Sequence, residues 1–305
     1  MSILVVGSVA FDTLKTPFGE RTKILGGAAT YFSLSASYFT DVRVVGVVGE
    51  DFTAEHEAVL TNRGIDTRGI EHASGKTFHW GGEYGENVNE AKTNFTDLNV
   101  FENFAPKIPA AYDDSEILFL ANIQPELQLD VRRKMPKVAL VGGDTMNLWI
   151  NIKRAELLET LKEVDILLIN DGEAKLLANE NSLVLAARKI LTLGPRSLVI
   201  KHGEYGATIF FGDGSHPFRA PALPIAEVVD PTGAGDTFAG GFMGYIASQP
   251  KLTRNVLKHA MFYGGVMGSF AVEKFGTERM QSLTRAEIDE RFHLFRELTH
   301  LHLVR

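Results

Sequence analysis

Short, predominantly apolar runs recur along the chain, at residues 3–6, 42–48, 117–120, 138–141, 166–169 and 198–201, with Arg43 inside the second and Lys201 ending the last. A run in which no alternate position is polar predicts a strand buried on both faces, as in a parallel sheet flanked by helices. The intervening stretches carry helical periodicity: a helix opened by residues 25–30 and running to about 39, one ending near Arg63-Gly64, and others over about 125–135, 152–163 and 252–272, with further starts at Asn170 and near Thr237. This alternation predicts an α/β fold with a central, mostly parallel sheet. Residues 208–211 and 218–220 read as antiparallel edge strands that follow it.

The texture changes over 76–101, where Thr77-Phe78-His79-Trp80, then Gly81-Gly82, then a polar stretch predict strands and turns with no helix between them. Phe78, Trp80, Tyr84 and Phe95 in this β insertion fit three settings equally: the interior of an antiparallel extension, a cover over a substrate, or a subunit contact.

Composition narrows the partners. The 305 residues are 45% hydrophobic, enough for a large core, and the net charge is −7. Without clustered Lys and Arg, neither nucleic acid nor an anionic membrane is an expected partner. The chain has no cysteine, no basic leader before its first apolar run and no apolar run of membrane length, so a cytoplasmic protein is expected. Its nine histidines lack metal-ligand spacing, and His300 and His302 read as solvated. Gly75-Lys76-Thr77 imitates the end of a P-loop, but Gly69 lies one position too far upstream and β sequence follows where a helix is required. Gly7-Ser8-Val9-Ala10 lacks the glycine spacing of a dinucleotide fold.

The stretch with the most chemistry is 230–244, in which Asp230-Pro231-Thr232-Gly233-Ala234-Gly235-Asp236 joins an extended run to a helix. Its glycines let a ligand reach the backbone, and the free amides and positive dipole end of the helix attract an anion. A carboxylate there repels such a ligand unless it has a task, and accepting a proton from an attacking hydroxyl is one. The plain alternative is that Asp236 caps the helix.

The order Asp230, Thr232, Gly233, Ala234, Gly235, Asp236 resembles the C-terminal motif of the ribokinase-like (PfkB) carbohydrate kinases. Further similarities run from Asp12 to Gly276. The resemblance implies a three-layer αβα ribokinase-like fold in one domain over 1–305, with a small β lid formed mainly by about 76–101 plus about 12–25. It implies an ATP-dependent kinase acting on a hydroxyl of a sugar, cyclitol or nucleoside, with Asp236 as general base and the amides of Gly233, Ala234 and Gly235 through Asp236 as anion hole. Asp12, Gly26, Gly27, Asn122 and Asp144 are then substrate-binding candidates. So is Thr30, which stands where the family's Asn is sought.

Lys201, Gly203 and Gly206 resemble the family's Lys-x-Gly-x-x-Gly hairpin beside the nucleotide, and Thr232, Gly233, Gly235 and Gly276 join them as nucleotide-binding candidates. Asn170 and Glu173 match its Asn-x-x-Glu motif, which implies Mg²⁺ placed through its water shell. A monovalent cation such as K⁺ is a further cofactor candidate, and a homodimer through the lid a further assembly. The resemblance leaves three acceptor readings: a carbohydrate first, an adenosine-like nucleoside second, and a noncatalytic metabolite sensor on the same fold.

Overall fold

The computed structural model describes residues 1–85 and 91–299. Residues 86–90 of the expected lid, and His300 and His302, lie outside the described residues. In chain order the strands are β1 (Ile3–Val6), β2 (Ala10–Thr16), β3 (Gly19–Gly26), β4 (Val42–Val48), β5 (Asp66–His72), β6 (Phe78–Tyr84), β7 (Ala91–Asp97), β8 (Ile117–Leu120), β9 (Leu140–Gly143), β10 (Ile166–Asn170), β11 (Ser197–Lys201), β12 (Ala207–Phe211) and β13 (Phe218–Ala220).

Nine of them form one sheet in the order β13-β12-β11-β10-β9-β8-β1-β4-β5. It is parallel from β11 to β5 and antiparallel at β12 and β13. Along β1, Ile3 and Val5 enter the core on one face while Leu4 and Val6 enter the core on the other, as two-residue alternation requires. Each such side chain contributes roughly 1.5–3 kcal/mol on burial, so the all-apolar runs anchor the middle of the sheet.

Helices Ala28–Ala36, Ala234–Ala247 and Arg254–Ala271 cover the first face. Pro125–Lys134, Arg154–Leu161, Asp171–Ala178 and Leu183–Leu191 cover the second, making three layers. Helix Ala234–Ala247 is apolar nearly all round because it lies between two others. A Cβ at its Gly240 would lie 2.3 Å from the Phe32 carbonyl oxygen, and one at Gly241 would lie 2.7 Å from Met267 Cγ, so these glycines set how closely the helices approach.

A separate four-stranded sheet, β3-β2-β6-β7, pairs β2 with β6 in parallel and the outer strands antiparallel. It is built from both segments expected to form the lid. The structure departs from the sequence reading in four places. The sequence just past the first strand reads as a loop at Asp12, but Asp12 stands within β2. Strand β5 went unpredicted because its pattern is polar, as suits the sheet edge it occupies. The helix expected over about 152–163 is Arg154–Leu161, and an unpredicted short helix, Asn147–Ile152, precedes it across the non-helical Lys153. The helix expected from Thr237 begins at Ala234. No helix among the described residues is long and apolar enough to cross a membrane.

Candidate active site

The chain runs from β1 out through β4 to β5 and returns to β8 on the other side of β1, and such a reversal opens a crevice at the carboxyl ends of the strands. Asn122, Asp144, Asn170 and Lys201 stand at or just beyond the ends of β8, β9, β10 and β11, around that crevice.

The turn before helix Ala234–Ala247 is held by Asp230, which is buried. Its Oδ1 accepts from the Thr232 amide at 2.9 Å and its Oδ2 from the Gly276 amide at 2.8 Å, tying the turn to the loop at 275–277. Gly233 precedes the helix with φ +70°, a left-handed conformation. The Ala234 amide donates to the Pro231 carbonyl at 3.2 Å. Among the described residues the amides of Gly233, Gly235 and Asp236 donate to no protein acceptor and are free to meet an anion, whereas the Ala234 amide is engaged by Pro231. The other helix start in the crevice is different. Ser8 caps Ala28–Ala36, its hydroxyl accepting from the Ala28 amide at 3.0 Å and its carbonyl from the Ala29 amide at 3.0 Å.

Lys201 lies beside the free amides, since a Cβ at Gly235 would be 3.1 Å from its Nζ. Its ammonium pairs with Asp144 Oδ2 at 3.3 Å. Burial alone would lower the Lys201 pKa, but Asp144, Glu173 and Asp236 outweigh burial and hold it above its ordinary value. Burial and the Asp144 charge push Asp236 up to about 7, against the pull of Lys201. That value suits a base which must take a proton near neutrality.

Asn170 and Glu173 form a reciprocal cap: Asn170 Oδ1 accepts from the Glu173 amide and Glu173 Oε2 from the Asn170 amide, both at 2.8 Å. This leaves Glu173 Oε1 uncommitted. Burial and then Asp144 push the Glu173 carboxyl up to about 7, a sign of negative charge in excess around one lysine. Among the described residues no three carboxylates or histidines converge as direct metal ligands. The donor set fits an ion held through its water shell, as Mg²⁺ commonly is.

Across the crevice, the Asp12 carboxyl is buried and lies against Gly26, where a Cβ would be 1.9 Å from its Oδ2. Burial, then Asp230 and Asp236, push it up to about 8, while the Tyr31 hydroxyl, donating at 3.4 Å, opposes the shift. Gly27, at φ +97°, packs where a Cβ would be 2.5 Å from the Ser8 carbonyl oxygen.

Three of the substrate-binding candidates have surroundings that the sequence does not show. Thr30 is wholly buried and its hydroxyl has no partner among the described residues. Asn122 is engaged at both ends, accepting from Trp149 Nε1 at 2.9 Å and donating to Met146 Sδ at 3.1 Å. Asp144 pairs with Lys201 and its charge acts on Asp236.

Gly203 opens a short turn between β11 and β12. Gly206, at φ +93°, is required by packing, since a Cβ there would be 2.2 Å from the Ala220 carbonyl oxygen.

The lid aromatics divide. Trp80 is paired with Asp12 in register and shares its face with Gly82 and Tyr84, whereas Phe95 pairs with Gly81 on the opposite face and packs edge-on against His79. Phe78 stacks on Phe101 and joins the core. Tyr31 escaped the sequence reading, overlooked because Thr30 was aligned with the family's Asn, and the contact of Tyr84 with Thr232 was hidden by their distance in sequence.

Residues 3–284 match the pfkB family carbohydrate kinase family. A cytidine kinase from Thermococcus kodakarensis is 35% identical over 262 residues, covering 82% of this chain and 90% of its own. Among solved structures, Methanocaldococcus jannaschii nucleoside kinase superposes with a TM-score of 0.77 at 21% identity, over 96% of this chain and 98% of its own. A Burkholderia thailandensis nucleoside kinase in complex with ADP-inosine also gives 0.77, at 20% identity, over 96% and 95%. Likeness at those identities is a likeness of fold. The match over nearly the whole chain places this protein in the pfkB family of carbohydrate kinases, phosphotransferases with an alcohol group as acceptor.

Proposed function

We propose that the protein transfers the γ-phosphoryl group of ATP to a sugar hydroxyl of a nucleoside, with cytidine the first candidate. The chemistry rests above all on one observation: Asp236, with a carboxyl near pKa 7, stands in the first turn of a helix whose Gly235 and Asp236 amides are free. The base and the anion-binding donors are therefore neighbours. The acceptor class is drawn from the cytidine kinase whose likeness spans most of the chain. That likeness supports a nucleoside ahead of a plain sugar, the reverse of the order read from sequence.

In this reading Asp12 accepts hydrogen bonds from acceptor hydroxyls that do not react, and Asp236 removes the proton of the one that does. The free amides and Lys201 face the charge on the phosphoryl group in transfer. Gly203, Gly206 and the 275–277 loop frame the nucleotide side. Mg²⁺, when bound with ATP, neutralises phosphate charge, and Asn170 and Glu173 would hold it through water. The four-stranded sheet covers the crevice and limits water. Most of the outer strands β3 and β7 is exposed, which supports a homodimer through the lid, measurable by sedimentation.

ADP release with ATP and Mg²⁺ is the test, with cytidine, inosine, ribose and myo-inositol as acceptors, each with and without K⁺. Cytidine is expected to give the highest kcat/KM. A preference for ribose would overturn the nucleoside reading, and ligand-induced thermal shifts without ADP release would indicate a sensor.

A further inference from the structure

Tyr31 sits in the first turn of helix Ala28–Ala36 and is buried. Its hydroxyl donates to Asp12 Oδ2, and among the described residues that carboxylate has no other hydrogen-bond donor. Its ring lies under the catalytic turn. A Cβ at Gly233 would be 2.4 Å from Cγ and Cδ2 and 2.5 Å from Cδ1 of Tyr31, so the ring plane is pressed against the Gly233 backbone. One rigid side chain therefore touches both the carboxylate on the acceptor side and the left-handed glycine that starts the anion-binding helix.

We propose that Tyr31 is a positioning residue that sets the Asp12 carboxylate and the Gly233 turn in register, so that an acceptor held at Asp12 meets the phosphoryl group held at Gly235 and Asp236. This rests on the acceptor and phosphoryl sites assigned under the proposed function.

Three features favour the role over simple packing. The phenol is a permanent donor: burial and the charges of Asp12, Asp230 and Asp236 hold its pKa well above the ordinary value. A buried hydroxyl with no partner is costly, and Asp12 is the one partner it has, so the ring cannot turn away without losing that contact. The hydrogen bond is long for an oxygen donor, at 3.4 Å, as catalytic hydrogen bonds often are before ligands bind.

Two variants separate the two contacts. Tyr31→Phe keeps the ring and removes the hydroxyl; the acceptor KM is expected to rise roughly 5- to 50-fold, with a smaller fall in kcat. Tyr31→Leu also removes the flat floor beneath Gly233, and kcat at saturating acceptor is expected to fall as well. Wild-type turnover of cytidine and ribose tests the proposed function by itself. The Tyr31 ratios are read on whichever acceptor is turned over.

A readout free of any acceptor is the carboxyl titration of Asp12 by ¹³C NMR, which in Tyr31→Phe should move further up because the donor that opposes the shift is gone. Asp230 and Asp236, the charges facing Asp12, are unchanged in that variant. A Tyr31→Phe protein with wild-type acceptor KM, or with an unmoved Asp12 titration, would overturn the proposal.

Discussion

The hydroxyls of Thr232 and Tyr84, 148 residues apart in sequence, meet at 3.1 Å, so the four-stranded sheet touches the turn proposed to bind the phosphoryl group. Thr232 is also the residue whose amide Asp230 holds. Lid position and turn geometry are thereby linked through one side chain. Tyr84→Phe removes the link while keeping the ring, and a hydrogen bond between neutral groups contributes about 0.5–1.5 kcal/mol net, so kcat/KM for the acceptor should fall roughly 2- to 12-fold. An unchanged kcat/KM would mean that the lid closes without it.

Lys201 and Asp144 act on Asp236 with opposite signs, and their variants should move the pH profile in opposite directions. Asp236 must be ionised to act as a base, so kcat/KM should rise with pH through about 7. Lys201→Met removes the cation that favours the carboxylate and should move this limb up by roughly 1 pH unit; Asp144→Asn removes an anion and should move it down. Glu173 titrates in the same range, so the profile is repeated in Glu173→Gln. Limbs that stay fixed would separate the limb from Asp236.

Stability should also depend on pH, with a sign set by burial. Asp12 has a folded-state value of about 8 against an ordinary 3.8. The folded state therefore binds a proton that the unfolded state releases. Its stabilising effect is fully present below the unfolded value and is lost as pH rises through about 8. Urea unfolding of Asp12→Asn should show a flatter decline between about pH 5 and pH 8.5 than the wild type. Equal declines would show that Asp12 is ionised in the folded protein throughout.

Trp80 tests what the lid face is for. Its indole lies over Gly82, where a Cβ would be 2.1 Å from Cη2, and this glycine lets the ring lie flat on the face that carries Asp12. Trp80→Ala should raise the acceptor KM well beyond its effect on Tm. Gly82→Ala should raise it too, by displacing a ring that is still present. If neither changes KM, the indole only packs the lid.

The layered fold was legible because predominantly apolar strands of four to seven residues have few other homes, and 230–236 was legible because glycines, a proline and a carboxylate at a strand-to-helix junction narrow the chemistry. What stayed hidden depended on contacts between distant segments. Nothing local says that Ala234 loses its amide to Pro231, that Asp144 pairs with Lys201, or that Tyr31 and not Thr30 reaches Asp12. Strand β5 was hidden for another reason: an edge strand with polar side chains carries little hydrophobic signal.

The central claim, that Asp236 is the base at a preformed anion site, is tested most directly by single-turnover rates of Asp236→Asn alongside ATP binding by calorimetry. Asn caps a helix about as well as Asp, so folding should be preserved. Loss of a positioned base should slow phosphoryl transfer about 10²- to 10⁴-fold, while ATP binds as well as before or more tightly once a charge beside its phosphates is gone. A folded Asp236→Asn protein that binds ATP and transfers phosphate at a near wild-type rate would contradict the account.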